Sequence, residues 1–133
     1  MAVYLLDSSI IIDALNGKRQ RGELLGDLLL EGHMLACCSI NVTEVYAGMR
    51  PSEEARTDEL LSSLDYYAVT WEIARKAGLL RRDYARKGKT LSLADATIAG
   101  VALAHNLVLI TDNVKDYPMP EIKLRFLGKS PNP

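Results

Sequence analysis

The chain has 133 residues, of which 48% are hydrophobic and 25% charged, a composition typical of a globular domain with a sizeable core. Its formal net charge of −1 excludes a uniformly basic protein, so any contact with nucleic acid requires a local positive patch. The N-terminal apolar run meets Asp7 before it could form a signal peptide, and no run is long enough to span a membrane. We therefore expect a cytoplasmic protein.

The first half of the chain alternates short apolar runs with amphipathic stretches, which predicts strands followed by helices. The predicted elements are a strand at 3–6, a helix at 10–15 capped by Ser8 or Ser9, a helix from 24 to near Gly32, a strand at 35–39 and a helix at 43–48. Asp7 then ends the first strand, and Glu44 lies in a first helical turn just past the second strand. The adjacent Cys37 and Cys38 are predicted to be buried strand residues, since their spacing fits neither a disulfide framework nor a metal site.

The second half continues the alternation. The predicted elements are a polar helix at 52–63, a strand at 66–69, a helix at 73–88 capped by Thr70, a helix at 93–105, a strand at 107–110 and a last strand at 123–127. An apolar stripe on the third of these faces the core, formed by Ile73, Ala77, Leu80 and Tyr84. The helix at 93–105 is rich in alanine and glycine, which predicts close packing against a neighbour, and Ser92 with Asp95 resembles a capping box.

This order of elements predicts an α/β fold, a mainly parallel central sheet flanked by helices, in one domain spanning residues 1–133. Residues 130–133 are predicted to be a frayed tail. The carboxyl ends of parallel strands share one edge of such a sheet, and ligands bind there. Acidic and amide residues follow several predicted strands: Asp7, Glu44, Asp95 and the group Asp112, Asn113 and Asp116. These carboxylates would repel one another unless a cation such as Mg²⁺ or Mn²⁺ neutralised them, and the chemistry of such a site is phosphoryl transfer.

Each acid also has a simpler explanation. A carboxylate near a helix N-terminus can cap free amides, which applies to Asp95 above all, and Glu44 could be an ordinary surface residue. Asp7 is harder to explain in this way, because it interrupts an apolar stretch where an unpaired carboxylate is costly to bury. The shared placement of the three acids favours a common site.

Four segments resemble, in order and spacing, the motifs of PIN-domain ribonucleases. They are LLDSS at 5–9, SINVTEVYAG at 39–48, LADATIA at 93–99 and LITDN at 109–113. The short length and the sequence YARKG at 84–88 resemble, more narrowly, VapC-type toxins of toxin–antitoxin pairs. The resemblance extends from Val3 to about Tyr117. It implies a PIN-like three-layer sandwich and an endoribonuclease that depends on Mg²⁺, with Mn²⁺ able to substitute.

The resemblance also implies site residues and partners. Asp7, Glu44 and Asp95 would be the catalytic and metal-binding acids, with Ser9 and Thr111 supporting them. Asp112, Asn113 and Asp116 compete for a fourth position, and the offset from Thr111 favours Asn113, then Asp116. The implied partners are an RNA substrate, a cognate antitoxin that inserts an arginine toward the acids, and a second copy of the chain in a homodimer.

RNA binding requires positive charge near the acids, and the segment before Asp95 contains it. Seven of the sixteen basic residues lie between Arg75 and Lys89. The predicted RNA-binding residues are Arg82, Arg86, Lys87 and Lys89, and a second candidate patch comprises Lys18, Arg19 and Arg21. Aromatic residues make up only 6% of the chain, so recognition is expected to rest on RNA shape and backbone rather than on base stacking.

Three other readings remain open. A phosphatase that uses Asp7 as nucleophile would want a second acid two residues on, where this chain has Ser9. A receiver-like signalling domain would want paired acids after the first strand. A PIN-like binding module without activity would not need Asp7, Glu44 and Asp95. Neither His33 nor His105 has a sequence context that suggests a catalytic triad.

Overall fold

The computed structural model describes residues 1–127, so the tail predicted at 130–133 lies outside the described residues. The elements are β1 (Val3–Leu6), α1 (Ser8–Leu15), α2 (Arg21–Leu30), β2 (Met34–Cys38), α3 (Ser39–Gly48), α4 (Glu54–Ser62), β3 (Asp65–Tyr67), α5 (Trp71–Arg86), α6 (Leu93–His105), β4 (Val108–Ile110) and β5 (Lys123–Arg125). Short 3₁₀ turns at Pro51–Glu53 and Val114–Asp116 precede α4 and follow β4. No helix among residues 1–127 is long and apolar enough to cross a membrane.

The five strands form one sheet in the order β3-β2-β1-β4-β5, and all four pairings are parallel. The predicted α/β class is therefore confirmed. Because the strands run in one direction, their carboxyl ends lie along the same edge. Asp7 directly follows β1, Ser39 follows β2 and Thr111 follows β4, so the central part of this edge carries polar residues.

Alternate residues of the strands point into two separate cores, which makes the fold a three-layer sandwich. Leu5, Ala36, Cys38 and Leu109 pack with α5 and α6 on one face. Leu6, Leu35, Cys37 and Ile110 pack with α1, α2, α3 and α4 on the other. The predicted burial of both cysteines is confirmed, and burial raises the pKa of the Cys37 thiol to about 11.

Helices α5 and α6 pack closely, as the sequence predicts. Ile73 and Ala77 of the apolar stripe are buried, and Leu80 and Tyr84 pack against the same core. The point of closest approach is Gly100, where an added Cβ would lie 3.3 Å from the Ile73 carbonyl oxygen. Thr70 caps α5 by accepting a hydrogen bond from the Ile73 N–H at 3.2 Å.

Several predicted boundaries are wrong, and each error has a local cause. Asp7, rather than Ser8 or Ser9, is the N-cap of α1. Helix α3 begins at Ser39, because Asn41 Oδ1 accepts the Cys38 N–H at 2.8 Å and closes its first turn, which places Glu44 in the second turn. Strand β3 ends at Tyr67, and the Val69 N–H donates to Ser39 Oγ at 3.0 Å.

Candidate functional site

Asp7 is the most constrained acid at the edge of the sheet. Its side chain is 7% exposed, Oδ1 accepts the Ser8 N–H at 2.9 Å, and Oδ2 accepts the Thr111 hydroxyl at 2.7 Å. Burial raises the pKa of Asp7, and the nearby charge of Asp95 acts in the same direction, while the hydrogen bonds from Thr111 and Ser8 oppose the increase. The carboxylate is thus held in place by two donors in a setting that favours a neutralising partner.

Asp95 lies in the first turn of α6 and faces Asp7 through a shared tyrosine. Ser92 caps the helix, with its Oγ accepting the Asp95 N–H at 3.0 Å. The Asp95 carboxylate accepts the Tyr117 hydroxyl at 3.2 Å, and this hydroxyl lies near enough to Asp7 for each group to shift the pKa of the other. Burial and the two carboxylates raise the pKa of Tyr117, so the phenol keeps its proton. Tyr117 therefore contacts Asp95 and lies near Asp7.

Glu44 joins the site through Ser8. The Ser8 hydroxyl donates to Glu44 Oε1 at 2.6 Å and accepts a hydrogen bond from Asn41 Nδ2 at 3.0 Å. Asn41 is fully buried, whereas Glu44 is exposed. Since the Ser8 N–H also bonds to Asp7, one serine connects two of the three predicted acids.

The segment after β4 separates the three candidates for the fourth position. Asp112 accepts from Arg21 Nη2 at 2.6 Å and from Arg19 Nη1 at 3.0 Å, so its charge is already paired. Asn113 is exposed, and its N–H donates to Thr111 Oγ1 at 2.9 Å. Asp116 is half-buried and has no side-chain partner within the described part of the chain. Asn113 and Asp116 therefore remain as candidates, whereas Asp112 is paired with the two arginines.

The donor set consists of hard carboxylate oxygens, which suit Mg²⁺ or Mn²⁺. Within residues 1–127 no three side chains of His, Cys, Asp or Glu lie close enough together to bind one ion jointly. The Tyr117 hydroxyl, however, contacts Asp95 and lies near Asp7, and the charge of Asp95 raises the pKa of Asp7, so these two acids belong to one site. The donor set therefore fits an ion that would take Asp7 and Asp95 as its protein ligands and water at its remaining positions.

Comparison with known protein families identifies the fold around this site. The family described as PIN domain matches residues 4–116, which includes Asp7, Glu44, Asp95 and all three candidates for the fourth position. The chain belongs to the PIN-domain family. The resemblance inferred from the four motifs is confirmed.

Curated relatives of this PIN domain include two from Mycobacterium tuberculosis strain H37Rv. Ribonuclease VapC19 is 33% identical over 115 residues, which cover 86% of this chain and 92% of the relative. Ribonuclease VapC10 is 34% identical over 119 residues, which cover 90% and 89%. Both alignments span nearly the whole PIN domain, so this chain is of the VapC type.

Solved structures show the same fold. The VapBC2 complex from Rickettsia felis, bound to a DNA fragment from its promoter, superposes with a TM-score of 0.81 at 27% identity and covers 93% of this chain and 98% of that one. A toxin–antitoxin complex from Klebsiella pneumoniae has a TM-score of 0.75 at 30% identity, with coverage of 95% and 98%.

The predicted RNA-binding residues lie at the end of α5 and in the connection to α6. Arg86 is exposed, Lys87 lies 4.7 Å from the centre of the Tyr84 ring, and Lys89 is half-buried. Arg82 is exposed and bonds to Asp83 at 2.9 and 3.0 Å. Their role in RNA binding stays a prediction.

The second candidate patch does not form a basic surface. Arg21 is fully buried and Arg19 is paired with Asp112, so of the three predicted residues only Lys18 is both exposed and outside this ion pair. Sequence reasoning treated these arginines as exposed because they lie in a polar connection. The partner that buries Arg21 is far away in the sequence.

Three residues of the PIN-domain site escaped the sequence analysis in these roles: Ser8, Asn41 and Tyr117. Ser8 makes the contacts with Asp7 and Glu44, whereas Ser9 Oγ is buried without a hydrogen-bond partner among residues 1–127. The supporting role expected of Ser9 stays a prediction. A signal existed for Asn41, which lies nearly one helical turn before Glu44, but Tyr117 follows a 3₁₀ turn with no periodic pattern.

Proposed function

We propose that this chain is a Mg²⁺-dependent endoribonuclease that cleaves RNA phosphodiester bonds as the toxin of a toxin–antitoxin pair, with Mn²⁺ able to replace Mg²⁺. One observation carries the proposal: at the carboxyl edge of a parallel sheet in a PIN domain, Ser8 connects Asp7 with Glu44, and the Tyr117 hydroxyl bonds to Asp95 near Asp7. Relatives with matching length are named ribonucleases, which supports RNA as the substrate.

The side chains of the site would have different roles in the proposed reaction. Asp7 and Asp95 would hold the ion directly, since they are close enough for the charge of Asp95 to raise the pKa of Asp7, and Glu44 would orient the attacking water or bind the ion through water. When bound, Mg²⁺ would lower the pKa of a water and neutralise charge that develops on the scissile phosphate. Thr111 and Ser8 keep Asp7 oriented, and Asn113 and Asp116 would extend the polar edge toward the substrate.

The basic end of α5 would bind the RNA backbone. Arg82, Arg86, Lys87 and Lys89 precede α6, whose first turn carries Asp95. Arg81 Nε donates to the Leu91 carbonyl at 2.8 Å, which ties this connection to α5 and keeps the basic residues near the start of α6. Charge contacts with phosphates contribute much of the affinity for RNA. Phosphates bound at these residues would lie near the first turn of α6 and therefore near Asp95.

The proposed assembly is a cytoplasmic homodimer inhibited by a cognate antitoxin. Structural neighbours from Rickettsia felis and Klebsiella pneumoniae are toxin–antitoxin complexes, which supports an antitoxin partner for this chain. An arginine from the antitoxin, directed at Asp7, Glu44 and Asp95, would form charge-assisted hydrogen bonds and block the site.

The test compares purified wild-type protein with Asp7→Asn, Asp95→Asn and the control Asp27→Asn, a substitution at an exposed position on α2. Wild-type and control proteins should cleave structured RNA with Mg²⁺ or Mn²⁺ and stop with EDTA. The two site variants should lose at least about 100-fold in rate, because the metal contributes several kcal/mol to the transition state. Equal cleavage by Asp7→Asn would contradict the proposal and leave an inactive binding module as the alternative.

The toxin role has its own readout. Expression of the wild-type chain alone should arrest bacterial growth, and expression of Asp95→Asn should not. Co-expression of the neighbouring antitoxin gene should restore growth. Harmless accumulation of the wild-type chain would reject the toxin role while leaving the nuclease activity to the cleavage assay.

A further inference from the structure

Tyr117 lies between the two acids at the centre of the site. It follows the 3₁₀ turn Val114–Asp116, and its side chain is 2% exposed. The ring packs in the core with Leu91 and Ala96, the latter next to Asp95 in α6. Packing therefore fixes the position of the hydroxyl, which hydrogen-bonds to Asp95 Oδ1 at 3.2 Å and also contacts Asp7.

The hydroxyl matters more to Asp95 than to Asp7. A phenol has one proton and donates to only one carboxylate at a time. Asp7 already accepts the Ser8 N–H on one oxygen and the Thr111 hydroxyl on the other. Among residues 1–127, the Tyr117 hydroxyl is the only hydrogen-bond donor to the Asp95 carboxylate. Loss of this hydroxyl would leave Asp7 held and Asp95 free to rotate.

We propose that Tyr117 is a positioning residue for the metal site: its hydroxyl holds Asp95 Oδ1 and so leaves Oδ2 available for a divalent ion shared with Asp7. This inference rests on the proposed function, because it requires metal binding by Asp7 and Asp95. Hydrogen bonds to ligating carboxylates typically contribute about 10- to 100-fold to metal affinity. The Tyr117→Phe variant should lose that factor while keeping the packed ring.

The experiment measures Mn²⁺ binding to the full chain without RNA, by electron paramagnetic resonance of free Mn²⁺. Tyr117→Phe should raise the dissociation constant for Mn²⁺ about 10- to 100-fold. Tyr67→Phe is the matched control, since Tyr67 packs against the same core and its ring contacts His105, and within the described part of the chain it hydrogen-bonds to neither Asp7 nor Asp95. Its dissociation constant should equal that of wild type. In the RNA cleavage assay, saturating Mn²⁺ should restore the rate of Tyr117→Phe to near wild type, which a purely structural defect would not allow.

The outcomes separate this inference from the proposed function. If wild type binds Mn²⁺, Asp95→Asn does not, and Tyr117→Phe binds as tightly as wild type or more tightly, the positioning role is rejected and the metal site stands. If wild type does not bind Mn²⁺, or Asp95→Asn binds it equally well, the proposed metal site itself is rejected, and the inference falls with it. Circular dichroism of each variant establishes that the helices are intact.

Discussion

The three acids have different surroundings, and these suit them to different tasks. Asp7 is buried and held by Ser8 and Thr111, so its position is set before any ligand binds. Glu44 is exposed, and among residues 1–127 only the Ser8 hydroxyl bonds to its side chain, so it can change its rotamer at little cost. A rigid carboxylate beside an adjustable one would suit the proposed site, which would hold an ion and also accommodate an RNA substrate.

The buried Arg21 should stabilise the fold through Asp112. Its Nη2 donates to Asp112 at 2.6 Å, while Nε and Nη1 are buried without partners among residues 1–127. Arg21→Met removes one member of this pair and should lower the free energy of unfolding by about 3 kcal/mol, measured by urea denaturation. The control Arg19→Met changes a more exposed partner of the same carboxylate and should cost under about 1 kcal/mol.

A double variant tests the cause of that loss. In the Arg21→Met background Asp112 keeps only the more exposed Arg19 as a partner, so adding Asp112→Asn removes a poorly compensated charge and should recover part of the lost stability. If Arg21→Met unfolds at the same urea concentration as wild type, the ion pair does not stabilise the connection between α2 and the segment after β4.

The sequence predicted where the site residues lie along the chain, but it did not predict which side chains contact one another. Asp7, Glu44 and Asp95 could be found because strand ends in a parallel sheet converge. The burial of Arg21 could not, because its partner Asp112 is 91 positions away and belongs to a loop without periodicity. Tyr117 was missed for the same reason, since the carboxylate that accepts its hydroxyl belongs to Asp95, 22 positions earlier.

Helix α6 positions Asp95 by two independent features. The Ser92 cap fixes the start of the helix, and its small residues let its body approach α5 closely. Both features are local patterns, which explains why the sequence predicted this helix with its correct bounds. The start of α3 depends on an equally local contact, that of Asn41 with the Cys38 backbone, which the predicted start at 43 did not take into account.

The contact between α5 and α6 predicts opposite effects for two glycines. Gly100→Val places atoms against the Ile73 carbonyl at the closest approach of the helices and should destabilise the protein by roughly 1–3 kcal/mol. Gly78 lies on the exposed side of α5, and a Cβ added there would meet no atom within 4 Å. Gly78→Ala should therefore stabilise the protein by about 0.5–1 kcal/mol through the higher helix propensity of alanine. Urea unfolding measures both changes, and equal signs would contradict the packing described here.

Acidic and basic side chains lie on adjoining surfaces of the molecule. The net charge is only −1, so RNA attraction must come from the distribution of charge rather than its sum. The carboxyl edge of the sheet carries Asp7 and Asp95, and the connection just before α6 carries Lys87 and Lys89. An RNA backbone lying on the basic connection would be guided to the acidic edge, where a bound cation would offset the repulsion.

The basic residues at the end of α5 and before α6 are expected to bind the RNA backbone. Arg86→Glu with Lys87→Glu should weaken RNA binding and reduce the steepness of log affinity against log salt by about 1 to 2. The reason is that binding with fewer phosphate contacts releases fewer counterions from the RNA. Stability should change little, since both side chains are exposed. The matched control is Arg75→Glu with Lys76→Glu, the same charge change on α5, where Lys76 lies beside Leu103 and Ala104 at the far end of α6 from Asp95. Fluorescence anisotropy with labelled RNA over a salt series measures both variants. Equal losses would indicate nonspecific attraction, and an unchanged slope at 86 and 87 would place the RNA surface elsewhere.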